Sequence, residues 1–64
     1  MKKTFFTYLK EFRVGYACRL LKETSFSVAQ TGYEAGYNNL SLYYRHFREI
    51  KGTTPLHYRA ENHL

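Results

Sequence analysis

Apolar residues in the first third of the chain recur with a helical period, yet they do not keep to one stripe. At 100° per residue, Phe5, Tyr8, Leu9, Phe12 and Tyr16 fall within about 100° of one another. Val14, Ala17, Cys18 and Leu21 also cluster, on roughly the opposite side. The polar residues exchange sides in step: Lys10 and Glu11 lie on the second side early, Arg19 and Glu23 on the first side late. A helix that serves one core keeps one stripe. The pattern therefore predicts a helix over Phe5–Glu23 that serves two cores, one per half. The rest of the chain supplies the second core, whereas residues 1–4 are too few to supply the first.

Thr24 and Ser25 break this helix, and Ser27 is an N-cap candidate for a short helix over 28–35 with Val28, Thr31, Gly32 and Ala35 on one face. Gly36 is placed to end it. Asn38, Asn39 and Ser41 offer capping oxygens to a third helix, Leu40–Lys51, whose inner stripe is Leu40, Tyr43, Phe47 and Ile50. Gly52 ends the third helix, and Thr54-Pro55 opens a fourth over 54–61, with Leu56 and Tyr58 expected inward and a frayed end. No segment reads as a strand. The fold class is all-α: a helix-turn-helix, homeodomain-like bundle of three to four helices behind a long N-terminal helix.

The segment 28–51 has helix-turn-helix proportions. Such a unit needs a small residue where its helices cross, here Gly32, and a turn residue tolerant of positive φ, here Gly36. It also needs a second helix with an apolar inner stripe and a polar, basic outer face; Ser41, Tyr44, Arg45, Arg48 and Lys51 provide that face. Charge sharpens the picture. The net charge is +5, there is no Asp, and five Glu are scattered along the chain, a balance that favours an anionic partner. Seven Tyr and five Phe supply the buried area that 64 residues otherwise lack. No apolar run approaches the ~18 residues of a membrane helix. Lys2 and Lys3 are followed by no apolar leader, and the lone Cys18 forms no intrachain disulfide, so a cytoplasmic, nucleoid-associated protein is expected.

The run Phe5-x-x-Tyr8-Leu9-x-x-x-Arg13-x-x-x-Ala17-x-x-Leu20-Leu21 resembles the linker helix of bacterial AraC/XylS transcription regulators. The run from Val28-Ala29 through Gly32, Gly36-Tyr37-Asn38-Asn39, Ser41, Tyr43, Arg45, Phe47-Arg48, Gly52 and Thr54-Pro55 to Tyr58-Arg59 resembles that family's second helix-turn-helix and closing helix. The resemblance implies two helix-turn-helix subdomains joined by one helix, with the first subdomain and any regulatory domain absent from these 64 residues. Where the family favours Ile or Val this chain has Thr31, where it favours Ala it has Gly32, and where it favours Phe it has Tyr37 and Tyr43. Gly32 costs about 1 kcal/mol of helix propensity, so the second helix is expected to be the least stable, and Gly32→Ala to be stabilising.

The expected activity is sequence-specific binding of double-stranded DNA, with the third helix in the major groove. Ser41, Tyr44, Arg45 and Leu40 are the candidates for base contact, Arg45 for a guanine; Leu40 stays open between core and a thymine methyl. Asn38, Asn39, Arg48, Lys51, Thr54 and Arg59 are the candidates for phosphate contact, together with the amide ends of the second and fourth helices. The Asn pair has turn chemistry as a competing role, and Arg59 a helix cap. An interaction module is the alternative, contacting RNA polymerase or a second copy through Phe5, Tyr8, Leu9, Phe12 and Tyr16; a membrane-surface binder is a third class. His46, His57 and His63 have no metal-ligand spacing with Cys18 or a carboxylate, no cofactor motif is visible, and Cys18 reads as a small core residue. No enzyme activity is expected.

Overall fold

In a computed structural model, residues 4–62 are described. Residues 1–3, which carry the leader reading, and His63 lie outside the described residues. The elements are α1 (Phe5–Glu23), α2 (Val28–Glu34), α3 (Leu40–Lys51) and α4 (Pro55–Asn62), with no strand among the described residues.

Every helix begins on a side-chain oxygen that takes one of the amides its first turn leaves unpaired. Thr4 Oγ1 accepts from Thr7 N at 3.1 Å, Ser27 Oγ from Gln30 N at 3.1 Å, Asn39 Oδ1 from Leu42 N at 3.1 Å and Thr54 Oγ1 from His57 N at 3.2 Å. The α2 end is a Schellman motif: Tyr37 N donates to Gly32 O and Gly36 N to Tyr33 O, both at 3.0 Å, with Gly36 at φ 101°. That left-handed residue turns the chain from α2 into α3. Gly52, at φ 74°, closes α3 in the same region of backbone space.

The core lies on one side of α1. Val14, Ala17, Cys18 and Leu21 are buried together with Thr31, Ala35, Tyr37, Tyr43 and Phe47, and Val28, Leu40, Ile50 and Tyr58 pack against them. The rings follow one another through the core, Tyr37 tilted at 5.3 Å from Tyr43, Tyr43 edge to face at 5.9 Å from Phe47, and Phe47 edge to face at 5.6 Å from Tyr58. On the other side of α1, Phe5, Tyr8, Phe12 and Tyr16 are exposed and Leu9 is half-buried, so the change of face read from the sequence is present in the fold.

Two expectations are corrected. A methyl group at Gly32 would not find room: a Cβ there would stand 2.5 Å from Cδ2 and 2.8 Å from Cε2 of Tyr43, whose ring is fully buried. The departures at 31, 32 and 43 act together. Thr31 Oγ1 donates to Val28 O at 2.6 Å, which uses its only proton, so Tyr43 Oη donates to Thr31 Oγ1 at 2.9 Å. The Tyr43 ring fills the volume that Gly32 vacates, and Thr31 satisfies its hydroxyl. Leu56, expected inward, is 67 % exposed. Pro55 is the buried residue of the first turn of α4, and about 100° further round the helix Leu56 points out, while Tyr58 returns to the core.

Candidate nucleic-acid interface

The inner stripe of α3 fixes its outer one. With Leu40, Tyr43, Phe47 and Ile50 against the core, Arg45 sits diametrically outward, Ser41 and Arg48 about 40–60° to one side of it and Glu49 about 40° to the other. All four are exposed. Arg45 makes no hydrogen bond or ion pair with any described residue. Lys51 is exposed at the last turn, where a cation also suits the helix dipole.

Tyr44 stands at the edge of this face, its ring 5.6 Å from that of Tyr43 and 41 % exposed. With Val28, Thr54, Pro55 and the outward Leu56 it lines an open apolar recess of about 410 Å³ between α3 and the start of α4. Leu40 packs against the core, on the opposite side of α3 from Arg45. Asn39 and Thr54 are engaged as N-caps through their side-chain oxygens, and Asn38 is exposed in the turn.

Arg59, expected at a phosphate or on its own helix end, turns to α1 instead. Its Nε donates to Leu21 O at 3.2 Å and its Nη2 to Thr24 O at 3.3 Å. Those carbonyls belong to the C-terminal end of α1, where the helix leaves acceptors unpaired, and a half-buried guanidinium with a planar fork of donors suits them.

Two contacts on the α1 side of α3 were not expected from the sequence. Lys10 Nζ pairs with Glu49 Oε1 at 3.0 Å, which holds the Glu49 carboxyl below the usual carboxylate range. Tyr37 Oη and His46 Nδ1 are 2.9 Å apart, and burial, followed by the charge of Lys10, lowers the His46 pKa. The signal for the first contact was present: Lys10 lies on the core side of α1, where a charge needs a partner. Arg13 covers the Tyr37 ring, its guanidinium carbon 5.5 Å from the ring centre. Burial also pushes the Cys18 thiol up, away from nucleophilic chemistry.

Among the described residues no group of three or more His, Cys or Glu is arranged to hold a metal ion, and no helix is long and apolar enough to cross a membrane.

A family model described as a helix-turn-helix domain matches residues 1–61. No curated protein matches the chain. A solved structure of a protein of unknown function from Listeria innocua is similar at a TM-score of 0.89 and 32% identity over 97% of this chain. The present chain spans 58% of that protein. By a match over residues 1–61, laid on a glycine-closed turn between two crossing helices, the chain belongs to the AraC-type helix-turn-helix family, a family of DNA-binding transcription regulators rather than enzymes.

Proposed function

We propose that this domain reads a DNA sequence by laying α3 in the major groove. The observation that carries the reading is Arg45: a fork of donors at the centre of the outward face, exposed and without a hydrogen bond or ion pair to any described residue. A guanidinium there matches the O6 and N7 acceptors of a guanine. Ser41, one turn earlier, reaches the next base edge, and Tyr44 lies along the groove wall. Arg48, Lys51 and Asn38 meet phosphates on either side, with the amide end of α4 beyond Thr54. Leu40 stays with the core, and Arg59 stays with α1.

Binding-site selection on random duplexes tests the reading. Arg45→Ala is expected to relax the preference at one base position, at a cost of about 1–3 kcal/mol, whereas Arg48→Ala weakens all sequences alike. An unchanged selected motif with Arg45→Ala would refute the assignment. With one reading helix in these 64 residues, their affinity is expected to be strongly salt-dependent and closer to the non-specific range of about 10⁻⁴–10⁻⁶ M than to that of a full operator complex.

A second reading is favoured by the outer side of α1, where Phe5, Tyr8, Phe12 and Tyr16 are 74%, 62%, 63% and 44% exposed. Apolar stripes of this kind mark association surfaces, and two-fold pairing lets one stripe cover itself on a second copy.

A further inference from the structure

Arg45 and Glu49 are one turn apart on α3, the spacing at which opposite charges on a helix pair with each other. They do not pair here. Glu49 is held by Lys10, which reaches it from α1 across 39 residues of sequence, and Arg45, whose charge is felt at Glu49, makes no hydrogen bond or ion pair with any described residue. Four other groups face Glu49 or its surroundings: His46 on α3, the Tyr37 phenol, Arg13 on α1, and Arg45 itself. Among these described groups, Arg45 alone is permanently charged and makes no hydrogen bond, ion pair or ring contact. Arg13 lies over the Tyr37 ring, and His46 is engaged with the Tyr37 hydroxyl.

We infer that Lys10 is a positioning residue for DNA recognition: by occupying the Glu49 carboxylate it keeps that carboxylate off Arg45 and leaves the guanidinium available to a base. The inference rests on the proposed DNA reading. Its physical content is a competition between two cations for one anion at the surface. Exposed pairs of this kind are individually weak, so the winner is set by geometry, and the Lys10 stem, laid along the groove between α1 and α3, provides it. Without the Lys10 charge, Glu49 has Arg45, one turn away on the same helix, as a permanently charged alternative, and binding a guanine would first require breaking that pair.

Four versions of the chain decide the matter: the parent, Lys10→Met, Glu49→Gln and the double variant, with Lys10→Gln as a second form should Lys10→Met fold poorly. Two readouts are used. The first needs no DNA: the side-chain Nε–Hε resonance of Arg45. It is expected to shift and exchange more slowly in Lys10→Met, but to match the parent in the double variant. The second is the affinity ratio between the selected duplex and one altered at the position that depends on Arg45. Lys10→Met is expected to lower that ratio about two- to fivefold, and Glu49→Gln to abolish the effect of the Lys10 change. If Lys10→Met weakens all duplexes equally in both backgrounds, Lys10 is itself a phosphate contact and the inference is wrong. An Arg45 resonance indifferent to Lys10 also overturns it. If the parent selects no sequence, the DNA reading fails while the resonance still decides whether Lys10 keeps Glu49 from Arg45.

Discussion

Replacing Gly32 by Ala sets two effects of known size against each other. In the middle of a helix Ala is favoured over Gly by about 1 kcal/mol, because Gly loses more backbone freedom on folding. Against this stands the Tyr43 ring, with three of its carbons 2.5, 2.8 and 3.0 Å from the new Cβ. An ordinary contact begins near 3.4 Å, so the ring has to retreat by about 1 Å. It has little room to do so. Tyr43 is fully buried, Tyr37 and Phe47 flank it at 5.3 and 5.9 Å, and its hydroxyl is tied to Thr31 at 2.9 Å. Overpacking of this kind costs about 1–3 kcal/mol, and losing the Thr31 bond adds about 1 kcal/mol. The balance is a destabilisation of about 2 kcal/mol, or a midpoint lowered by roughly 10 °C in a domain of this size. Thermal unfolding followed by circular dichroism at 222 nm measures it. The same substitution in a Tyr43→Leu background, where the ring is gone, is expected to be neutral or stabilising. An unchanged or raised midpoint for Gly32→Ala in the parent would show that α2 and α3 slide apart at little cost, and the coupling argued for residues 31, 32 and 43 would fall.

Other outcomes are open to direct measurement. Arg59→Met removes both donors from the carbonyls of Leu21 and Thr24 and is expected to lower stability by about 1.5 kcal/mol in urea unfolding; a change within error would make the brace incidental. Burial pushes the Tyr43 phenol up to about 12, and burial also raises Tyr37 and Tyr58 above the ordinary value of 10. A group that holds its proton more tightly when folded stabilises the fold fully below its unfolded pKa and loses that contribution as pH rises, here from 10 to about 12. Phenolate absorbance is therefore expected to rise in two stages, the later one coinciding with loss of helix, and a single step near 10 with the helices intact would contradict it. Phe12→Ser is expected to shift any self-association towards monomer in sedimentation runs at several concentrations, while leaving the Val14–Leu21 side of α1 folded; a parent that stays monomeric at high concentration argues against pairing through the stripe.

The helices and their ends could be read from the chain because their determinants are local. Ser27, Asn39 and Thr54 each cap a turn three residues away, and Gly36 and Gly52 mark the two left-handed positions. The two-faced character of α1 was also local, since it needs only a periodicity. What escaped depended on partners distant in sequence. Nothing near Gly32 announces that the Tyr43 ring will press on it, and nothing near Arg59 points to carbonyls 35 and 38 residues earlier. Leu56 failed for another reason. An eight-residue helix has about two turns, too few to establish which side of it is apolar, and the buried position of Pro55 decides the phase. On the outward face of α3, the basic stripe was plain from spacing alone; for the Glu49 pair the chain showed only that Lys10, on the core side of α1, needs a partner, and which residue meets it depends on how α1 crosses α3.

The reversal of face along α1 makes that helix a coupling with a fixed phase. Whatever body seats on the Phe5–Tyr16 side is held to α3 through a single rod that advances about 1.5 Å and turns about 100° with each residue. The two cannot be adjusted separately. One residue inserted between Tyr16 and Ala17 would swing the first body about 100° around the axis while moving it hardly at all along it. Seven inserted residues, close to two full turns, would nearly restore the angle, to within about 20°, but add about 10 Å of separation. Changes in the length of this helix are thus confined to steps of whole turns if the bodies on its two sides are to face the same way.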